Sequence, residues 1–317
     1  MNQRGTILLS VMVMVTALSL IAVEATDTVR FGIRRAANLR TVEQAHWYAL
    51  GTEALARAAL EIEFQRSPAR TTAQAVWRRG PQRLPIQNGF LRGELQDNSN
   101  CFNVNALVQP GDEGLEKRPA LREEFVRVLS LLRIPARDRQ FLVDGLIDWL
   151  DSDTRPEASG AEDGFYIGQR PPYRTANGPI VDLSELAGIR GWTPALFAQL
   201  RPLLCAHPTH EPAVLNINLL SEERAVLLAA ILEDEEALQV LIDVLAGRRD
   251  SGIDLESFWE RFPDATDAMR ARVDERSRYI RLTSRVDYDQ TSLIYQAQFE
   301  QGLDGEIRLW SRRFGAR

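Results

Sequence analysis

Lysine is all but missing from this 317-residue chain: Lys117 stands alone among 38 basic residues. A Walker-type phosphate loop, which needs Gly-Lys-Ser/Thr, is therefore excluded. No Gly-x-Ser-x-Gly elbow is present either. Histidine is scarce, with His46, His207 and His210 the whole supply. A net charge of −6 gives no general attraction to nucleic acid or anionic lipid. The arginine-for-lysine bias is read as genomic composition. Proline is absent from Glu24 to Gln65, so nothing interrupts a helix there. With no catalytic constellation, the chain reads as a structural protein and not an enzyme.

What is present begins at the N-terminus. Residues 1–5 are polar, carry one Arg and end in Gly5; residues 6–23 then run without a charge, a Gly or a Pro. As a helix that run is about 27 Å long, enough to cross a hydrocarbon core and longer than the roughly 7–15 apolar residues of a cleaved signal. Beyond it Val29, Ile33, Ala36, Ala37, then Leu55, Ala58, Ala59 and Ile62 recur at three- and four-residue intervals, predicting an amphipathic continuation over 24–66.

The remaining pattern divides in three. Residues 67–88, with Pro68, Pro81 and Pro85, are expected as loop, followed by a strand over Gly89–Gln96. Residues 119–272 are expected to be almost wholly helical: 120–133, 138–150, a helix capped by Thr193 with Pro194 at its first position, one capped by Ser221, and one over 235–246. From Ser277 the period changes to two. Arg278–Tyr288, Ser292–Glu300 and Glu306–Phe314 predict an antiparallel meander with Asp-Gln and Leu-Asp-Gly turns.

A short basic leader ending in Gly, then an apolar helix running into an amphipathic one, resembles the N-terminus of type IV pilins and pseudopilins. That resemblance implies cleavage by a prepilin peptidase after Gly5 and methylation of Thr6. Most of these proteins carry Glu at the fifth mature position, where this chain has Ser10. A charge in an apolar filament core is costly unless paired, so its absence fits a subunit with nothing above it. Ser10, the run Phe102-Asn103-Val104-Asn105-Ala106-Leu107 and the long helical stretch together resemble one family, general secretion pathway protein K of type II secretion.

The fold implied is α+β: a pilin-like long N-terminal helix with an antiparallel β-meander, carrying a large all-α insert with helix-hairpin-helix or SAM-like units. The expected division is leader 1–5, transmembrane segment 6–23, helix continuation 24–66, first part of the β-domain 67–106, helical insert 107–272 and C-terminal meander 273–317. The implied function is that of a tip subunit of the pseudopilus. It would initiate or cap the filament with the I and J minor pseudopilins, support protein export across the outer membrane, and meet secreted cargo or the secretin. It would be single-pass in the bacterial inner membrane, with its N-terminus cytoplasmic and its bulk periplasmic. An alternative is a periplasmic calcium-binding adaptor released by signal peptidase after Ala25.

Six carboxylates, Asp148, Asp151, Asp153, Glu157, Glu162 and Asp163, fall within sixteen residues. Calcium takes six to eight oxygen ligands from such a loop. Counted from Asp151, the EF-hand pattern fails at its sixth position, Pro156, and matches at its twelfth, Glu162. The Asp-Trp-x-Asp-x-Asp…Gly-Ala-Glu-Asp segment resembles the family's signature, which implies calcium on Asp151, Asp153, Glu162 and Asp163, with Asp148 and Glu157 as further candidates. The other reading is an acidic surface loop capped by Arg155 and Arg170. A periplasmic location implies that Cys101 and Cys205 pair, against two buried thiols. Such a bridge closes a loop of about 105 residues and stabilises by roughly 4–5 kcal/mol in the chain-entropy model.

Leu186-Ala187-Gly188-Ile189-Arg190-Gly191-Trp192 resembles a helix-hairpin-helix turn with Asp182 and Thr193 as caps; without clustered basic residues beyond Arg190 and Arg201 it is expected to serve packing and not DNA. Leu215-Asn216-Ile217-Asn218-Leu219 echoes such a unit. His46 is expected to be structural. His207 and His210, among Pro208, Glu211 and Pro212, are expected in a linker, with zinc as the alternative.

Overall fold

The structure, a computed structural model, describes residues 3–248, 252–302 and 304–315. Side chains are described from Ile7 onward, so those of Gly5 and Thr6, and Leu303 of the last predicted turn, lie outside the described residues. Helix α1 spans Gln3–Arg66 without a break. Residues 7–40 are exposed throughout, and an 18-residue window of mean hydropathy 2.4 is wholly unburied.

Strands β1 (Gln82–Ile86) and β2 (Gly89–Asp97) follow, then β3 (Phe102–Asn103), β4 (Val108–Gly111) and β5 (Gly114–Lys117). Helices α2 (Pro119–Leu131), α3 (Ala136–Leu150), α4 (Asp163–Tyr166) and α5 (Pro194–Leu200) come next, then β6 (Leu204–Cys205) and β7 (Leu215–Asn216). The chain continues with α6 (Ala225–Ile231), α7 (Ala237–Ala246), α8 (Leu255–Trp259), α9 (Asp267–Arg270) and β8 (Val273–Asp274). It ends in β9 (Tyr279–Tyr288), β10 (Thr291–Gln301) and β11 (Ile307–Phe314).

Five strands form one antiparallel sheet in the order β1-β2-β9-β10-β11. Strands β2 and β9 are neighbours although some 180 residues separate them, with Asp97 opposite Ile280. The insert therefore leaves and re-enters the sheet at one point. One face of the sheet, through Leu91, Ile280, Leu282, Val286, Tyr295, Ala297 and Phe299, packs on α1. The insert encloses a separate and larger core around Phe125, Leu142, Leu146, Tyr166, Leu186 and Leu228.

Three sequence expectations need correction here. Residues 67–88 are not all loop, because β1 pairs with β2 and Pro85 lies opposite Phe90; an edge strand tolerates proline because its outer side needs no donor. Ser221 makes no side-chain cap; a 3-10 turn at Glu222–Arg224 intervenes and α6 starts at Ala225. The predicted cap at Thr193 forms, its hydroxyl accepting from Leu196 N at 3.3 Å. The insert is also less helical than its pattern implies. It opens with the β4–β5 hairpin, and much of 151–193 is irregular chain folded over α3.

Asparagine side chains join insert to sheet. Asn103 Nδ2 donates to the carbonyls of Thr209 and Glu211, while its Oδ1 accepts from His207 N and Asn105 N. Asn105 bridges Ile180 and His207 in the same way. Asn216 exchanges bonds with Asn100 and reaches Thr71 O and Ser277 Oγ. All four are buried, where an unpaired amide would be costly, so each fixes the path of several segments at once. The two Asn-x-Asn runs each start at a short parallel pairing, β3 with β6 and β7 with β8. A disulfide joins Cys101 to Cys205 beside the first pairing, with Cα atoms 5.7 Å apart.

Candidate functional site

Two regions carry chemistry or contact potential: the free side of α1 and the acidic loop after α3.

On α1, Ala45, Ala49, Thr52, Ala56, Leu60 and Phe64 are buried against the sheet. Their spacing of three and four traces one helical face, and the small residues let β10 and β9 approach closely. Glu53 fixes the docking. It accepts two bonds of 2.8 Å from Arg312 and one from the Tyr295 hydroxyl, and Arg312 is the main reason its carboxyl lies below the ordinary range. Arg57 donates to Ile307 O, and the His46 ring stacks on Phe314 at 4.1 Å.

The apolar stripe conspicuous in the sequence lies elsewhere. Val29, Ile33, Leu55 and Ile62 are each at least half exposed. Ala36, Ala37, Ala58 and Ala59 are exposed with them. The helix thus has two apolar faces: an alanine-rich one against its own sheet, and a bulkier one that is left exposed. Exposed apolar surface of this extent marks an interaction site.

In the acidic loop, α3 ends at Leu150 and delivers Asp148 and Asp151 into a fold closed by Gly160, Glu162 and α4. Asp151, Asp153 and Glu162 present oxygens that all lie within 4.8 Å of one another. Burial, helped by neighbouring carboxylates, pushes the acids up: Asp148 to about 6, Asp151 and Glu162 to about 7. Asp151 Oδ1 and Glu162 Oε1 are buried without a hydrogen-bond partner in this arrangement. Three carboxylates with oxygens this close together, two of them also holding a buried oxygen without a partner, fit a hard divalent cation, which prefers oxygen ligands.

The remaining acids have other partners. Asp148 accepts from Glu157 N at 2.9 Å and holds the loop shut. Glu157 pairs with Lys117 of the β4–β5 hairpin, and Asp163 with Arg174 and Thr175. Asp144, which pattern reading passed over, is buried between Arg122 and Ser159 N. Lys117, Arg122 and Arg174 do the pairing expected of Arg155 and Arg170; no ion pair to the latter two occurs among the described residues. Gly160 is required: a Cβ there would lie 1.9 Å from Asp148 Oδ2. Arg190 closes the loop from outside, donating to Gly160 O at 2.7 Å.

The hairpin at 186–192 turns inward onto α3. Gly191 has φ +91°, and a Cβ on it would meet Phe141 at 2.9 Å. Arg190 N donates to the Tyr166 hydroxyl and the Trp192 indole to Leu142 O, so the turn is occupied in packing. Asp182 forms a capping box with Glu185. His207 is not in a loose linker. It is fully buried, its Nε2–H donating to Asn98 O at 3.0 Å, and burial pulls it down to about 3. His210 hydrogen-bonds Asn105 O. The Asn-x-Asn signal could have foretold this, since buried asparagines of that pattern need backbone partners, and the 207–211 segment supplies them.

A family model for type II secretion system (T2SS), protein K, matches residues 100–209. The chain is 31% identical over 330 aligned residues to type II secretion system protein K of Aeromonas hydrophila, covering 99% of this chain and 98% of that one. It is 35% identical to the Klebsiella pneumoniae protein of that name, over 79% of this chain and 77% of that one. Among solved structures it is similar to a chain of the GspK-GspI-GspJ complex from enterotoxigenic Escherichia coli. The TM-score is 0.76 at 25% identity, over 89% of this chain and 100% of that one.

Proposed function

This chain belongs to the type II secretion system protein K family, and from that premise we propose that it is the tip subunit of a pseudopilus, assembled with the I and J minor pseudopilins. The observation that carries the proposal is the second apolar face of α1. Its own sheet covers only the side that carries Ala45, Ala49, Thr52, Ala56, Leu60 and Phe64, leaving Val29, Ile33, Leu55 and Ile62 for other subunits. Burying such a face contributes roughly 25 cal/mol per Å² before ordering costs. A further reason is bulk: the insert, hung between β2 and β9, adds a second and larger core to the subunit and would clash between close-stacked neighbours, whereas a tip has room for it.

The N-terminal run serves as a single-pass anchor retained after cleavage at Gly5, with Thr6 methylated and the folded part periplasmic. Calcium belongs in the acidic loop. Asp151, Asp153 and Glu162 would hold it, Asp148 would brace the loop behind them, and the ion would neutralise carboxylates that burial leaves uncomfortable. Its role is to fix the loop and so the shape of the insert.

The test is co-purification from membranes with the host's I and J subunits, together with N-terminal sequencing of the product. A product starting at methylated Thr6 that brings both partners, and an Ile62→Arg variant that brings neither, is the expected result. A soluble product starting at Thr26 would favour the released adaptor and overturn the tip reading.

A further inference from the structure

The face of the sheet turned away from α1 meets the insert in a cleft of about 640 Å³. Its floor is Arg281, Gln296 and Gln298, and its opposite wall is Phe197 and Arg201. Arg224 enters from the start of α6, and Arg313 lies at the edge, paired with Asp182.

Arg201, Arg224 and Arg281 set this cleft apart. Among the described residues, none of the three has a carboxylate oxygen within 4.0 Å. Arg281 donates to Asn98 Oδ1 at 2.7 Å and Arg224 to Asn100 O at 2.8 Å, which fixes both; Asp97 and Glu223 act on Arg224 only from beyond ion-pair distance. Arg201 is exposed at the wall. Burial depresses Arg281 most, and the charges of Arg201 and Arg224 add to it. In a chain with more acids than bases, three crowded guanidinium groups without an ion-pair partner are unfavourable on their own. A carboxylate, which a guanidinium binds as a fork, would relieve them.

We propose that this cleft binds an acidic, extended peptide segment of another protein, its carboxylates on Arg201 and Arg281 and its backbone against the amides of Gln296 and Gln298. The size favours a peptide over a single small anion, since the space falls in the range of about 300–1,000 Å³ typical of ligand sites. Position argues against a lipid headgroup. Arg313, at the edge of the cleft, is followed in the chain by Phe314, which stacks on His46, and His46 lies roughly 33 Å along α1 from Glu24 at 1.5 Å per residue. Phe197 adds an apolar surface for a side chain between the charges.

Fluorescence anisotropy on the full chain in neutral detergent tests this. The probe is a pool of fluorescein-labelled ten-residue peptides with two Glu in a Gly-Ser background, against a matched Gln pool. The expected result is at least tenfold tighter binding of the Glu pool. Arg201→Gln, at an exposed site, should remove that preference without altering the circular dichroism spectrum. Equal affinity for the two pools, or an undiminished Glu preference in Arg201→Gln, would overturn the proposal. So would stronger binding to phosphatidylglycerol vesicles, or complete displacement of the peptide by equimolar inorganic phosphate.

Discussion

The imidazole of His207 lies on the ring of Tyr279, with centroids 3.7 Å apart and planes 23° from parallel. One ring belongs to the insert and the other opens β9, so the stack sits at the junction of the two bodies. The Tyr279 hydroxyl donates onward to Glu300 of β10.

This junction makes stability pH-dependent. Burial holds His207 down to about 3, against an ordinary value near 6.5 when unfolded. A depressed histidine takes up its proton on unfolding, so stability is lost as pH falls below about 6.5. Between pH 7.5 and 5 the loss should be about 2 kcal/mol. Denaturant titrations at the two pH values check this, and His207→Gln should flatten the difference.

The acidic loop should respond with the opposite sign. Asp151 and Glu162 are raised to about 7. Without metal their contribution is therefore full below the ordinary carboxylate range and is lost as pH rises through about 7. Calcium should reverse that slope, because protons compete with the ion. At a concentration 100 times its Kd, calcium should stabilise by about 2.7 kcal/mol. Thermal melts with calcium or chelator at pH 6 and 8 provide the measurement, and Asp151→Asn should abolish the calcium effect.

Gly160→Ala should destabilise by about 2 kcal/mol through overpacking. The new methyl meets the fully buried Asp148 carboxylate, which has no room to withdraw. Gly164→Ala, four residues on, meets nothing within 4 Å and should be nearly neutral. Chemical denaturation of the two variants side by side separates local crowding from a general intolerance of the loop.

Leu60 and Ile62 lie two residues apart on α1 and should behave differently. Leu60 is 0% exposed and Ile62 50%. Leu60→Ala should cost about 3 kcal/mol of stability. Ile62→Ala should leave stability within about 0.5 kcal/mol and instead weaken capture of the partner subunits at least tenfold. Equal loss of stability in both variants would contradict the two-faced helix.

Much of the architecture was readable in advance because it is locally encoded. The absence of proline from Glu24 to Gln65 determined a continuous helix, and alternation after Ser277 determined strands. The crowding of Asp148, Asp151, Asp153 and Glu162 marked the loop where oxygens converge. Each signal resides in the backbone preferences and periodicity of a single segment.

Tertiary structure decided the rest, because burial depends on what arrives from far along the chain. The stripe through Leu55 and Ile62 is the more hydrophobic side of α1, yet the flatter Ala45–Ala49–Ala56 side faces the sheet, where close approach is needed. Asp163 lies beside Glu162 in sequence but turns to Arg174 and Thr175. Arg201, Arg224 and Arg281 lie far apart in the sequence, and become a cleft only because β2 and β9 pair and fold the insert back over the sheet. Periodicity determines what a segment becomes; only the partners that reach it determine which of its faces is covered.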